Sequence, residues 1–303
     1  MDISALVCLC KERRRGRPKQ INSVFTKIEI GSNTRKGSYM YYTFNGRVCA
    51  SICDEYSEPL AGARLRLYSN RPDQEIKTLV GAEPEDKFAI MTVEEAAAKS
   101  GSLLMEVDTN EKGEFTAVLG DKQGYNGGPF EVHFLCSHIS RQALESNPPT
   151  PLQFSVVTLQ PPWRRGETGL ETRWEHCLSP QQWSLVRAKF DAWVVCGRVL
   201  VGETQLPVPK VKVTAIDVDW VHDDPLGAAM TDGVGFFRID YGSAAFKKDS
   251  LGLNIELVGG PDIYFKIETP AGDVLLAEPS SRGREPDREN RGPCCAVNLF
   301  VQK

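Results

Sequence analysis

Aspartates are concentrated in one short stretch in the second half of the chain. Four of them are Asp217, Asp219, Asp223 and Asp224. Carboxylates at this density can bind calcium, which takes about six to eight oxygen ligands. Their spacing does not match the calcium loop of EF-hands, and Asp side chains also fix turns by bonding to the backbone. The stretch therefore predicts a solvated acidic loop, with ion binding or contact with a basic partner as alternatives.

A basic run near the N-terminus is the sharpest short motif. Residues 13–19 have the sequence RRRGRPK, which resembles an AT-hook. The Gly-Arg-Pro core of an AT-hook lies in the minor groove of A/T-rich DNA while flanking arginines meet phosphates. Short basic runs also dock on acidic protein surfaces. We expect a partner-binding arm for an acidic protein surface, with DNA as the alternative ligand. The residues expected to make the contact are Arg13, Arg14, Arg15, Arg17 and Lys19.

The cysteines and histidines form no complete catalytic or metal-binding motif. The chain has nine cysteines and no CxxC pair, which argues against a structural zinc site. Its four histidines are scattered, and no GxSxG nucleophile motif is present. We therefore predict no catalytic residues, no bound metal, no cofactor and no enzymatic activity.

Length and composition favour a globular protein of about two domains, with 303 residues, 41% of them hydrophobic and 25% charged. The formal net charge of −4 argues against nucleic-acid binding over the whole surface. No run reaches the roughly 18 apolar residues that span a bilayer, and the first residues lack a secretory pattern. We expect a cytoplasmic protein without membrane contact, although leaderless export fits the same features. Reduced thiols are expected, with Cys49, Cys136 and Cys196 as small buried hydrophobes.

The strands and turns that must position these residues are predicted from a sequence pattern that occurs twice in the chain. FNGRVCASICDEYSEPLAGARLRLYSN, residues 44–70, has a counterpart in VVCGRVLVGETQLPVPKVKVTAID, residues 194–217. Both hold Gly-Arg-Val in a strand, then a proline turn, then a strand of alternating apolar residues. A second phrase, EVDTNEKGEFTAVL at 106–119, matches AMTDGVGFFRIDY at 229–241. Each copy of that phrase has a polar turn closed by glycine.

Each copy continues with a strand entered through Gly-Gly-Pro. These strands are GGPFEVHFL at 127–135 and GGPDIYFKI at 259–267, and β-runs at 154–159 and 296–301 close the two copies. Because every strand has one apolar face, two sheets must close over each other in each copy. The sequence therefore predicts an all-β protein with two tandem β-sandwiches.

Two helices are predicted between the strands. TVEEAAAKSG, residues 92–101, has Thr92 as N-cap and Glu95 closing a capping box. SPQQWSLVRAKFDAW, residues 179–193, has Ser179 as N-cap, proline at the first helical position and an apolar stripe. We expect the second helix to connect the two sandwiches.

The order of these motifs resembles the transthyretin-like (prealbumin-like) superfold, which includes carboxypeptidase regulatory-like domains. The resemblance covers about residues 44–160 and 194–302 and implies two non-catalytic sandwiches. Intradiol dioxygenases share this core and hold iron with two tyrosines and two histidines. Here the second copy offers Tyr241, Tyr264 and the single histidine His222, so the iron ligands of that family are incomplete.

We divide the chain into four parts and predict one function with two alternatives. The parts are a basic arm and lead-in strand (1–40), sandwich 1 with a helical insert at 91–101 (41–160), a linker and bridging helix (161–193), and sandwich 2 with a long exposed loop at 278–293 (194–303). The predicted function is that of a non-enzymatic structural or adaptor protein whose sandwiches mediate protein–protein contacts in a larger assembly. The alternatives are an AT-hook-like DNA-binding protein and a metal-dependent enzyme of the intradiol dioxygenase type.

Overall fold

The structure is a computed structural model in which the described residues are mostly in β-strands, so the predicted all-β fold class is confirmed. The described stretches are residues 40–53, 56–70, 88–139, 151–167, 169–219, 223–246 and 259–302. Nearly all of the predicted basic arm and lead-in strand, residues 1–39, lies outside them.

The first sandwich has two sheets that enclose one hydrophobic core. Its strands are β1 (Tyr42–Cys53), β2 (Tyr56–Pro59), β3 (Arg64–Ser69), β4 (Ala89–Ile90), β5 (Leu103–Asp108), β6 (Glu114–Leu119), β7 (Phe130–Cys136), β8 (Leu152–Leu159), β9 (Arg164–Arg165) and β10 (Leu170–Leu178). One sheet has the order β2-β1-β10-β9, with β6 also paired to β1, and the other has the order β4-β8-β7-β3-β5. The rings of Phe44 and Phe130 meet between the sheets, 5.1 Å apart.

The second sandwich is smaller and has the same kind of core. Its strands are β11 (Trp193–Val201), β12 (Lys212–Asp217), β13 (Asp224–Met230), β14 (Phe236–Tyr241), β15 (Ile263–Glu268), β16 (Val274–Ala277), β17 (Cys294–Ala296) and β18 (Leu299–Val301). One sheet has the order β14-β11-β17, with β18 also on β11, and the other has the order β13-β12-β15-β16. Phe237 and Phe265 pack across the sandwich with ring centres 6.0 Å apart.

The two Gly-Arg-Val strands occupy the same position in their sheets. β1 pairs antiparallel with β6 and parallel with β10, and β11 pairs antiparallel with β14 and parallel with β17. Gly46 lies opposite Phe115, and Gly197 lies opposite Phe237. A Cβ on Gly46 would lie 2.5 Å from the Phe115 ring, and one on Gly197 would lie 1.7 Å from the Val297 carbonyl oxygen. Both positions therefore require glycine because a neighbouring group fills the space of a side chain.

The polar turns before β6 and β14 also have the same geometry. Asn110 Oδ1 accepts hydrogen bonds from the backbone N–H groups two and four residues ahead, at 2.9 Å each, and Asp232 Oδ1 does the same. Gly113 and Gly235 close the turns with φ values of 73° and 72°. Such values favour glycine, as the sequence predicts for this turn type.

The segment predicted as a linker contains two strands of the first sandwich, so the boundary expected at residue 160 is wrong. β10 runs parallel to β1 from the Tyr42–Leu170 pair to the Ala50–Leu178 pair. Its sequence, LETRWEHCL, is rich in charged residues because most of its side chains are at least partly exposed. The pairing partner is more than a hundred residues away, so no local pattern indicates it.

The two runs predicted to close the sandwiches are not equivalent. The run predicted at 154–159 belongs to β8, which pairs antiparallel with β7. The run predicted at 296–301 falls on β17 and β18, which instead run parallel to the Gly-Arg-Val strand β11. By its parallel pairing to a Gly-Arg-Val strand, β10 is the counterpart of β17 and β18.

The expectation of a free thiol at Cys49 is wrong, because Cys49 forms a disulfide with Cys177. The two residues are directly opposed in the β1–β10 pair, with Cα atoms 4.4 Å apart, a separation that a disulfide can bridge. Cys136 and Cys196 are free and buried, as predicted. Burial raises the pKa of each of these two thiols to about 12.

Both helices begin where the sequence predicts. α1 (Val93–Ala98) and α2 (Pro180–Lys189) have complete capping boxes. The apolar stripe of α2 packs into the first core; its residues are Trp183, Val186 and Phe190. α2 ends earlier than predicted, because Asp191 adopts a positive φ of 48° and β11 then begins.

The loop at 278–293, predicted to be long and exposed, is folded onto the second sandwich. Arg288 is only 4% exposed, binds Glu278 at 3.1 Å and lies over the Phe265 ring. The backbone of Arg291 comes so close to Gly260 that a Cβ there would lie 1.7 Å from its carbonyl oxygen. Most residues of the loop are nevertheless exposed, as predicted, and the buried Arg288 is accommodated because it pairs with the Glu278 carboxylate.

Candidate functional site

The predicted contact residues of the basic arm lie outside the described residues. These are Arg13, Arg14, Arg15, Arg17 and Lys19. Their role as a partner-binding segment therefore stays a prediction.

The acidic stretch is bound to the start of β15. Asp217, at the end of β12, is 7% exposed, and its carboxylate accepts a hydrogen bond from the Asp262 backbone N–H at 2.7 Å. Asp223 is exposed and accepts a hydrogen bond from the Tyr264 hydroxyl at 2.7 Å. Two of the four predicted aspartates thus bind the start of β15, Asp217 at the residue before the strand and Asp223 at a side chain within it.

Burial raises the pKa of Asp217 to about 7, and the negative charges of Asp262, Asp219 and Asp224 add to this effect. The hydrogen bond from the Asp262 backbone opposes it. Within the seven described stretches, no group of three or more His, Cys, Asp or Glu side chains has an arrangement that could hold a metal ion. Ion binding by this stretch stays a prediction.

A buried histidine lies on the side of β7 that faces away from the first core. His133 is 1% exposed because the insert that carries α1 covers this face of the sheet. A cavity of about 640 Å³ lies between the sheet and the insert, lined in part by Met91, Lys99, Glu131 and Ser155.

The hydrogen bonds of His133 fix its tautomer. Gln153 Oε1 accepts from Arg66 Nη1 at 2.7 Å, so its amide nitrogen faces His133 Nδ1 at 3.4 Å. Nδ1 is therefore the acceptor, and Nε2–H donates to Glu131 at 3.0 Å. Lys99, from the insert, forms an ion pair with the same Glu131 carboxylate. Both ring nitrogens are occupied, and the arrangement attaches the insert to the sheet.

Glu131 is held ionised by these contacts. Burial raises the pKa of its carboxyl, but hydrogen bonds from His133 and Lys99 together with the positive charge of Lys99 outweigh burial and lower the pKa to about 2. The carboxylate is therefore charged at neutral pH and serves as the common acceptor for the sheet and the insert.

The two tyrosines considered for an iron site lie on opposite sides of the second sandwich's β12–β15 sheet. Tyr241 belongs to the second core, whereas Tyr264 alternates with the inward-facing Ile263 and Phe265 and bonds to Asp223 outside. His222 lies outside the described residues. A single iron ion could not bind both hydroxyls in this fold, because the sheet separates them.

A largely buried network of polar side chains among the described residues connects the two sandwiches, and we call it the junction network. Its members are Glu58 on β2, Trp183 and Arg187 on α2, and Arg238 and Asp240 on β14. The Glu58 carboxylate accepts from Trp183 Nε1 at 2.6 Å, from Arg187 Nη1 at 3.1 Å and from Arg238 Nη1 at 2.7 Å. Arg238 Nη2 also donates to Asp240 at 2.7 Å.

Arg187 is the centre of the junction network and is 1% exposed. Its Nη2 donates to Asp240 at 3.4 Å, and its Nε donates to the Ala192 backbone oxygen at 3.0 Å. Two guanidinium groups and two carboxylates balance their charges, which is the condition for burying ions at moderate cost. Desolvation lowers the pKa of Arg238, but Asp240 and Glu58 outweigh it and raise the pKa above the usual range.

The junction network has only a weak signal in the sequence. The available signal was Arg187, which follows Trp183 by four residues and therefore lies on the buried stripe of α2. A charged residue within such a stripe needs a partner, but nothing in the sequence indicates that Glu58 and Asp240 supply it.

No protein-family model and no curated protein matches the chain. Among solved structures, it is similar to the shaft pilin SpaA from Lactobacillus rhamnosus GG, with 8% identity, 87% of this chain and 97% of that chain covered and a TM-score of 0.25. A streptococcal ancillary pilin is 11% identical, with 87% of this chain and 63% of that chain covered and a TM-score of 0.22. A 9R-lipoxygenase from Cyanothece is 16% identical, with 37% of this chain and 17% of that chain covered and a TM-score of 0.24. TM-scores of this size carry no information on function.

Among the described residues, no helix is long and apolar enough to cross a membrane.

Proposed function

We propose that this protein is a non-enzymatic structural or adaptor component whose two transthyretin-like sandwiches mediate protein–protein contacts in a larger assembly. The observation that carries the proposal is the junction network, which connects both sandwiches and α2 through largely buried side chains. A component that contacts neighbours through two modules benefits from a fixed spacing of its surfaces. Fixed spacing avoids the entropy cost of ordering two loosely tethered modules on binding.

Burying an ion network between two sandwiches has a high desolvation free energy, so we expect it to fix their relative orientation more than to add stability. Well-packed apolar residues of similar volume often stabilise a protein as much or more. Directed N–H···O bonds between guanidinium and carboxylate groups, however, are satisfied in few relative orientations. The junction network therefore supports a role in which the relative orientation of the sandwiches matters.

The transthyretin-like character of both modules is supported by details that recur in them. Thr109 and Thr231 each precede the polar turn and are nearly buried. The Thr109 hydroxyl accepts a hydrogen bond from the Ala63 backbone N–H at 3.1 Å, and the Thr231 hydroxyl accepts one from Val211 at 3.0 Å. The same side chain thus ties the same turn to the same strand in both modules, which favours tandem copies of one fold.

We propose other protein subunits as partners, with the basic run at 13–19 docking on an acidic surface, and a cytoplasmic location. The Cys49–Cys177 disulfide bears on the location, since disulfides are rare in the reducing cytosol. Alkylation of freshly extracted, denatured protein tests this point. A cytoplasmic protein should have both cysteines alkylated without prior reduction, and alkylation of the pair only after reduction would place the protein in an oxidising compartment.

Size fractionation of native extracts from the source cells tests the proposed function. We expect the 33.6 kDa chain to elute in a larger complex with protein subunits in fixed stoichiometry. The charge-balanced variant Glu58→Gln/Arg187→Met should enter that complex less well, whereas the exposed Lys189→Ala should enter it normally. Elution of the wild type alone at monomer size would contradict the proposal, and loss of the complex on nuclease treatment would favour the AT-hook alternative.

A further inference from the structure

The outer face of the β6-β1-β10-β9 sheet carries a groove rich in arginine. The groove has a volume of about 770 Å³, and four exposed arginines line it: Arg47, Arg164, Arg165 and Arg173. The lining contains only two acidic residues, Glu114 and Glu171. The excess of positive charge in the groove is a local feature, because the whole chain has a net charge of −4. Such a groove attracts negatively charged groups.

The two arginines at the rim have no side-chain partners in the described part of the chain. Arg164 and Arg165 form β9, a strand of two residues at the edge of the sheet. By contrast, Arg47 Nε donates to the Lys112 backbone oxygen at 3.2 Å, and Arg173 pairs with Glu175 at 2.9 Å. Of the four arginines, Arg164 and Arg165 are therefore the two whose guanidinium groups have no side-chain partner among the described residues, and we take them as the groups that meet an external ligand.

The floor of the groove is lined by the short polar side chains of Asn45, Thr116 and Thr172. Among the strands that the structure describes, β9 pairs only with β10, so the backbone on its other side has no partner strand there. An extended peptide can use both features, since it can add to a sheet edge through its backbone and place alternate side chains in a groove.

We propose that this groove binds an acidic polypeptide segment of a partner protein, an inference that rests on the proposed role in protein assembly. Carboxylates on alternate residues of an extended segment lie about 7 Å apart, so they can meet arginines while avoiding the two glutamates of the lining. A nucleic acid suits the groove less well, because duplex DNA carries a phosphate charge about every 1.7 Å and would face both glutamates.

Fluorescence anisotropy with a labelled twelve-residue peptide of alternating Glu and Thr tests the proposal on the full chain. We expect saturable binding that Arg164→Ala/Arg165→Ala weakens by about tenfold, since two charge-assisted contacts are lost. Binding should also weaken with added salt because the contacts are exposed. The matched control is Arg198→Ala/Lys210→Ala, which removes two exposed positive charges from the second sandwich and should leave the affinity unchanged.

Equal affinity of the wild type and the groove variant would overturn the proposal, as would equal binding of a Lys-Thr peptide. Tighter binding of a single-stranded oligonucleotide that also depends on Arg164 and Arg165 would replace the acidic peptide with nucleic acid. A thermal melt of each variant checks that both remain folded. If the native complex forms with the groove variant as it does with the wild type, the groove inference fails and the proposed function stands.

Discussion

At the scale of single residues, several polar side chains that could do chemistry hold parts of the protein to each other instead. Both nitrogens of His133 are occupied by Glu131 and Gln153. The hydroxyl of Tyr264 is bonded to Asp223, and the carboxylate of Asp217 is bonded to the backbone entering β15. These groups are partnered before any ligand arrives, which agrees with a structural role.

A charge at Val213 should severely destabilise the protein. The Val213 side chain is 0% exposed in the second core, opposite Ala229 and Ile267 in the neighbouring strands. Val213→Asp places an unpaired carboxylate there and should cost about 3 kcal/mol or more of unfolding free energy. Urea unfolding measures the loss. Thr214→Asp, on the other face of β12, is the control, and an equal loss in both variants would contradict the assigned burial.

Asp217 should make stability depend on pH in an unusual direction. Its pKa is raised to about 7 in the folded protein from 3.8, so ionisation disfavours the folded state as pH rises from about 4 to about 7. Asp217→Asn keeps an oxygen acceptor for the Asp262 N–H and removes the charge. We expect the variant to gain stability relative to wild type at pH 8 but not at pH 4. An equal difference in melting temperature at both pH values would contradict the raised pKa.

At the scale of elements, local signals identified the helix starts and the turns, because capping boxes and glycine turns depend on neighbours in sequence. They did not identify β10, because its parallel pairing is with β1, which is distant in sequence. The fold of the loop at 278–293 was missed for a related reason. The polarity of that loop is neutralised by pairing, as in Arg288 with Glu278, and composition alone cannot reveal the pairing.

The insert with α1 should depend on Glu131 for its attachment to the sheet. Glu131→Gln removes the charge that Lys99 and His133 share, so the amides of residues 92–102 should exchange hydrogen faster while those of β12 are unchanged. Because the pKa of Glu131 is lowered to about 2, its stabilising effect is present above about pH 4.5 and is lost as pH falls through about 2. Wild-type protection of the insert should therefore fall in that acidic range.

The control for this experiment is Glu111→Gln, which removes an exposed carboxylate from a turn of the same sandwich. Hydrogen exchange by mass spectrometry resolves the two regions. Unchanged exchange of the insert in Glu131→Gln would show that other contacts hold it.

At the scale of the whole molecule, β11 belongs to both hydrophobic cores. Val194 and Cys196 lie in the first core with α2, whereas Val195 and Val199 lie in the second. Both faces of the strand are therefore buried, and the junction network lies beside it on α2, β2 and β14. Two sandwiches that share a strand between their cores should behave as one rigid body.

Differential scanning calorimetry of the purified full-length protein tests this rigid coupling most directly. The wild type should unfold in one transition, with calorimetric and van't Hoff enthalpies that agree. Glu58→Gln/Arg187→Met should separate the transition into two, because it removes the ion pairs that join β14 of the second sandwich to β2 and to α2, while Arg238 and Asp240 remain paired. The exposed control Lys189→Ala should keep one transition. Two well-separated transitions in the wild type, unaffected by the double substitution, would contradict the account.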